Sequence, residues 1–335
     1  MNKQYYPALD ETLYRAILPN GLRVLVVPKP GFTKKLAYFV TDFGAVHTAF
    51  TLDGEKQTVP AGVAHYLEHK LFDMPGGRDV STEFAKLGAM TNAFTSYDMT
   101  AYYFSCTENF ESCLRLLLEF VSTPYFTKES VAKEQGIIDQ EIGMNVDSPD
   151  SRVFEELMQA AFANHPIRVP ILGSRESIRE ITPETLYRAH RAFYTPGYMM
   201  LCVVGDVDPD RVAEIALEML GSEQRPVGVK LRPWTEDMTL VRKESCAEMD
   251  IAMPMFSMLF KCPAAPHGEA GIRREMTADL AAEALFGESS QLYLRLYEEG
   301  LIDSSFGGGF ETLDGMAMFT ASGDSEDPEA VKEAI

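Results

Sequence analysis

His65, Glu68 and His69 fall within one pentapeptide, His-Tyr-Leu-Glu-His. On a helix, positions i, i+3 and i+4 share a face, with about 6 Å along the axis between i and i+4. Two imidazoles at that spacing can grip a single metal ion while the carboxylate hangs beside it. Imidazole ligands with an adjacent base are the parts of metal-assisted hydrolysis. A catalytic metal keeps three protein ligands and one open position, so a third ligand must come from elsewhere. Residues 128–145 read as a long helix that offers Glu134 and Glu141, seven residues apart and therefore on one face. The same helix carries Glu129 and Asp139, and spacing alone does not choose among the four.

These side chains need elements to hold them. Asn20-Gly21 signals a turn before the β-branched run 22–28, and residues 36–43 read as a second strand closed by Gly44. Thr58-Val59-Pro60 opens the motif helix, with Pro60 suited to its first turn, and Gly76-Gly77 ends it. A short helix over 81–87 with Ser81 as N-cap follows, then paired strands at 89–94 and 100–106. Helical periodicity recurs at 110–121, 128–145, 151–162, 183–193 and 209–220, with a strand at 199–204. The polar, turn-rich run at 221–228 reads as a linker. Beyond it lie strand-like runs in 249–262, helices at 274–286 and 289–299, and Gly307-Gly308-Gly309, which reads as a turn between strands.

The 335 residues are enough for one large or two ordinary domains, and 46% apolar residues against 24% charged is a globular balance. A net charge of −20 repels phosphate backbones and anionic lipid, which disfavours nucleic acid and membrane surfaces as partners. No apolar run approaches the roughly 18 residues that span a bilayer, and the amino terminus does not read as a secretory signal. Five scattered cysteines without a CxxC read as reduced thiols of a cytoplasmic protein. His47, His165, His190 and His267 have no partner at ligand spacing and read as surface or hydrogen-bonded structural residues.

The motif helix with Leu71-Phe72, the segment Thr91-Asn92-Ala93-Phe94-Thr95, the Thr100/Tyr102 pair and the later Glu134 and Glu141-Ile142 together resemble the M16 (pitrilysin/insulinase-type) metallopeptidases. These are the inverzincins, in which the glutamate stands beside the second histidine; in HExxH enzymes it stands beside the first. The resemblance runs in order through about residue 220 and continues into Leu294-Arg295-Leu296-Tyr297-Glu298-Glu299-Gly300. It implies an α+β fold of M16-type α/β roll domains, each a mostly antiparallel or mixed sheet packed with helices. Residues 1–221 would form the metal-bearing domain, 222–238 a linker, and 239–335 a partial second domain lacking its carboxyl-terminal part.

The resemblance also implies one Zn2+ per chain, held by His65, His69 and Glu141, with Glu134 orienting the site. Glu68 would take the proton of the zinc-bound water as general base and pass it to the leaving amine. The strand Asn92-Ala93-Phe94 would bind a peptide or small unfolded protein as an added strand. Arg295 matches the arginine of the family's distal Arg/Tyr pair, but Ile302 stands where the tyrosine is expected. The implied activity is a zinc endopeptidase, the metal-bearing member of a homo- or heterodimer whose M16-like partner supplies the Arg/Tyr pair. The alternative is a non-catalytic or weakly active M16-like subunit serving as a binding or scaffold partner of another subunit, which the intact Glu68 argues against. An inert structural metal site would require a fourth protein ligand, and none is apparent in the sequence.

Overall fold

A computed structural model describes residues 1–223, 228–231 and 234–335. In chain order its elements begin with β1 (Asn2–Tyr6), β2 (Glu11–Ile17), β3 (Arg23–Pro28), β4 (Lys35–Thr41), β5 (Ala49–Leu52), β6 (Glu55–Thr58) and α1 (Val63–Leu71). They continue through β7 (Asp73–Met74), β8 (Arg78–Asp79), α2 (Val80–Lys86), β9 (Met90–Thr95), β10 (Thr100–Cys106), α3 (Phe110–Ser122), α4 (Lys128–Val146) and α5 (Pro149–Ala161). Next come α6 (Arg175–Arg179), α7 (Pro183–Phe193), β11 (Met199–Gly205), α8 (Pro209–Leu220) and β12 (Val229–Leu231). The last are β13 (Met255–Cys262), α9 (Glu269–Phe286), α10 (Gln291–Glu298), β14 (Gly307–Leu313), β15 (Met316–Asp324) and α11 (Pro328–Ala334). The fold is α+β.

Two compact units emerge, residues 1–139 with 171–232, and residues 140–170 with 233–335. The first is built on a seven-stranded sheet of order β1-β2-β3-β11-β4-β10-β9, in which only β3 and β11 run parallel. Strand alternation sets its core. Val24, Val26, Ala37, Phe39, Tyr102, Phe104, Leu201 and Val203 point to the covered face and are almost fully buried. Helix α1 packs on β9, β10 and α7, while α3 packs on β10 and α8. A smaller sheet of order β12-β5-β6 lies in the same unit. Of the expected linker at 222–238, residues 224–227 and 232–233 lie outside the described residues, and Val229–Leu231 is strand β12, paired with β5.

The second unit carries the antiparallel sheet β13-β15-β14, covered by α9 and α5. Its core gathers Phe286, Tyr293, Leu296, Ile302, Phe306, Ala321 and Val331. Within it Glu236 and Lys261 form an ion pair whose side chains are only 2% and 5% exposed. Glu236 also accepts the backbone N–H groups of Ala163, Asn164 and His165 at 2.7–3.0 Å. Burial alone would raise this carboxyl. The three backbone donors and Lys261 outweigh it and pull the pKa down to about 2 from 4.5.

A depressed carboxylate stabilises the fold above its unfolded pKa, and that stabilisation is lost as pH falls through the folded value. The wild-type urea midpoint is therefore expected to fall between about pH 4.5 and pH 2 through this group. Glu236→Gln should cost roughly 3 kcal/mol at pH 7, because it strands a buried ammonium, and should flatten that acid-side slope. Urea titrations of both proteins at pH 7 and pH 3 check this. An equal acid slope in the two would contradict it.

The structure corrects several sequence readings. The motif helix starts at Val63, not near Pro60, because Thr58 ends β6 and Val59 N–H bonds Thr48 O. Gly62 turns the chain into the helix with φ 89°, a conformation suited to glycine, and a Cβ there would lie 2.4 Å from Leu172 O. The cap of the next helix is Asp79, whose carboxylate accepts Thr82 N–H at 2.8 Å, and not Ser81, which lies inside the helix. Gly307-Gly308-Gly309 is the start of β14 and not a turn. A Cβ on Gly308 would come within 2.4 Å of the Phe286 ring and 2.6 Å of Thr320 O, so glycine lets α9 close on the strand. Strands β1, β2, β5 and β6 escaped the sequence reading: β1 and β6 are polar and mostly exposed, β5 has only four residues, and β2 carries no β-branched run.

Candidate metal centre

Helix α1 is buried along nearly its whole length, which accounts for its Val63, Ala64, Leu67 and Leu71. Each of the valine and leucine side chains contributes about 1.5–3 kcal/mol on burial. That packing fixes the helix, and the helix fixes its polar face. His65 is 7% exposed and Glu68 8%, and the rings of His65 and His69 stand 4.5 Å apart between centroids. Tyr66 O–H donates to Val131 O, tying α1 to α4. The nineteen-residue α4 is continuous across the division between Asp139 and Gln140. One ligand atom from each of His65, His69 and Glu141 lies within 4.8 Å of the other two.

Of the four acidic candidates on α4, geometry selects Glu141 for this cluster. Glu134 takes another place, its Oε1 3.0 Å from His69 Nδ1. A carboxylate there makes Nδ1 the protonated nitrogen, so Nε2 is the ring atom whose lone pair can ligate. Desolvation pushes the Glu134 carboxyl up, yet its bond to His69 and the nearby Lys70 ammonium hold it below the usual carboxylate value. Asp139 pairs with Arg175 at 3.5 Å instead. Glu129 sits in the first turn of α4.

Two imidazoles and a carboxylate converging from two helices make the N/N/O set of catalytic zinc. Among the described residues no other group of His, Cys, Asp and Glu could hold a metal ion. The residues fit zinc.

Glu68 is held from the sheet side. Thr95 Oγ1, at the end of β9, donates to Glu68 Oε2 at 2.7 Å and lies 3.5 Å from Thr100 Oγ1. Thr100 in turn donates to Phe43 O at 2.8 Å. Behind them the Tyr102 and Tyr194 hydroxyls meet at 2.8 Å, and burial raises both phenols far above their ordinary range. One oxygen of Glu68 is thus engaged by a hydroxyl, while the carboxylate stays beside the histidine pair. Thr95 belongs to a motif that carries the family resemblance, but the sequence reading places it in the turn after residues 89–94 and not beside Glu68. The alternation of β9 was the available signal, since it turns Thr91, Ala93 and Thr95 away from the exposed Asn92 and Phe94. Lys70 was missed altogether: a lysine next to a metal-binding histidine reads as a solvated charge, whereas here it is 1% exposed.

Asn92, Ala93 and Phe94 lie on β9, the last strand of the seven, which pairs with β10 through Asn92↔Tyr103 and Ala93↔Tyr102. Asn92 Oδ1 accepts the Ala93 N–H at 2.9 Å. Arg295 lies on α10 of the second unit and donates to Ala334 O at 3.5 Å, and Ile302 is buried in that unit's core. The remaining histidines have their own partners. His190 Nε2 bonds Val121 O, His165 Nε2 bonds Asp314 O, and His47 Nδ1 accepts Gly44 N–H. His267 is exposed, 3.7 Å from Asp314. Among the described residues no helix is long and apolar enough to cross a membrane.

Comparison with known proteins gives this geometry a context. Residues 55–175 match the family model described as insulinase, peptidase family M16, and residues 180–335 match the peptidase M16 inactive domain. The chain is 40% identical over 337 residues to the "uncharacterized zinc protease YmfH" of Bacillus subtilis, covering 98% of this chain and 78% of that one. An "uncharacterized zinc protease" of Rickettsia felis is 28% identical, over 61% of this chain and 49% of its own length. The crystal structure of a protein described as M16-like peptidase, from Alicyclobacillus acidocaldarius, superposes with a TM-score of 0.94 at 34% identity, covering 99% of this chain and 78% of that one.

Proposed function

From the premise that the chain belongs to the insulinase-type M16 peptidase family, we propose that it is the metal-bearing subunit of a zinc endopeptidase acting on peptides or small unfolded proteins. The observation that carries this reading is the convergence of His65, His69 and Glu141 beside Glu68. His65, His69 and Glu141 would hold one zinc ion. When bound, zinc supplies Lewis acidity that polarises the scissile carbonyl and acidifies water.

The chain's own residues do the rest. Glu68, with Oε2 engaged by Thr95, accepts a proton from the attacking water and delivers it to the leaving amine. Glu134 holds the His69 ring through Nδ1. An extended substrate adds along the outer edge of β9 at Asn92, Ala93 and Phe94, bound through its main chain with few demands on side-chain identity. Arg295 is assigned to substrate binding by its match to the arginine of the family's distal pair, in a second domain of residues 239–335 that follows a first of residues 1–221. With Ile302 in the core and no tyrosine at that position, an M16-like partner supplies the Arg/Tyr pair, in a homo- or heterodimer. The cytoplasm is the compartment we assign, supported by five cysteines in the free thiol form.

A scaffold subunit without activity is the competing reading. A Glu68 anchored beside the histidines by its own hydrogen bond favours the enzyme. The test uses the full chain, alone and with whatever M16-like subunit co-purifies, assayed for bound zinc and for cleavage of quenched fluorescent peptides. We expect one zinc per chain and cleavage that a chelator abolishes and added zinc restores, with the partner present. Stoichiometric zinc without cleavage in either preparation would leave only the scaffold.

A further inference from the structure

Lys70 follows the second histidine directly and is 1% exposed, one of the largest fully buried side chains in the protein. A buried ammonium persists in a fold only when paired. Two carboxylates face its Nζ, Asp73 on one side and Glu134 Oε2 at 3.7 Å on the other. Their surroundings differ. The Asp73 side chain is 51% exposed and has water to satisfy it, whereas that of Glu134 is 13% exposed. Glu134 therefore sits between two cationic or N–H groups, with Oε1 on His69 Nδ1 and Oε2 toward Lys70.

We infer that Lys70 is a positioning residue for the metal centre: its buried charge locks the Glu134 carboxylate in the orientation that holds the His69 ring toward the metal. The inference rests on the zinc reading above and goes beyond it, because Lys70 touches neither metal nor substrate. With Oε1 hydrogen-bonded to His69 and Oε2 drawn by the Lys70 charge at 3.7 Å, the carboxylate is held against turning from the imidazole. With a neutral side chain at position 70, one oxygen loses its counter-charge, the carboxylate turns to water, and His69 loses both its orientation and the basicity an anionic partner lends it.

Zinc affinity by competition with a chromophoric chelator, on the full chain at fixed pH, tests this. Outer contacts of this kind are worth about 10- to 100-fold in metal affinity. Lys70→Met should weaken zinc about tenfold, while in a Glu134→Gln background, where no carboxylate remains to be locked, the same change should cost less than about twofold. Equal losses in both backgrounds would mean that Lys70 acts only through general stability, and the inference fails. Should Lys70→Met not fold, Asp73→Asn is decisive. Lys70 then faces Glu134 alone and zinc affinity stays within about twofold of wild type, whereas a tenfold loss would show that Lys70 works through Asp73. A wild type that takes up no zinc overturns the peptidase reading and this inference together. Tight wild-type zinc with an indifferent Lys70→Met overturns this inference alone.

Discussion

Glu68→Gln is expected to lower peptide turnover by about 10³-fold, within the range of roughly 10²–10⁴ that a positioned general acid–base contributes. The substitution keeps the shape of the side chain and a carbonyl oxygen that can still accept the Thr95 hydroxyl at the 2.7 Å position. It removes the basic oxygen needed to take a proton from water. The metal ligands are untouched, so zinc content and affinity should match wild type. Because the lost interaction exists in the proton-transfer transition state and not in substrate binding, kcat should fall while KM holds. Steady-state kinetics on a quenched peptide, beside metal analysis of the same preparation, checks both halves. A variant that keeps more than a tenth of wild-type turnover would remove Glu68 from the role of base.

Glu141→Gln should act on the metal first. Contacts that only orient a ligand are worth about 10- to 100-fold in affinity, so loss of an anionic ligand should cost about 100-fold or more. Zinc is then expected to dissociate during purification, and activity should return only at high added zinc. The neighbouring acids provide the contrast. Glu134→Gln keeps an acceptor for His69 Nδ1 and should cost about tenfold. Asp139→Asn removes the partner of Arg175 and should leave zinc affinity unchanged. An Asp139 variant as damaging as Glu141→Gln would mean that the third donor is misassigned.

That contrast shows where sequence reasoning stopped. Four acids on one helix were candidates for the third ligand, and helical spacing alone could not rank them, because the choice depends on how α4 lies across α1. The Tyr66–Val131 hydrogen bond takes part in that docking, and nothing in the local sequence of either helix announces it. Lys70 was illegible for a related reason. Whether a lysine is solvated or buried depends on the carboxylate that comes to meet it from a distant segment. The strand at Gly307-Gly308-Gly309 was misread because glycine's permissive backbone signals a turn locally, while here its missing side chain makes room for α9.

The sequence by itself determined the helix that bears His65, Glu68 and His69, since a 3.6-residue period needs no partner to place i, i+3 and i+4 on one face. It also determined the strand pair that β9 and β10 form, although the strand expected at 89–94 runs on to Thr95. Only the tertiary structure decided which acid completes the donor set, which hydroxyl holds Glu68, and that Lys70 is buried against Glu134. Local periodicity fixes directions along one element, but convergence within a few ångströms is set by the packing of elements far apart in the chain.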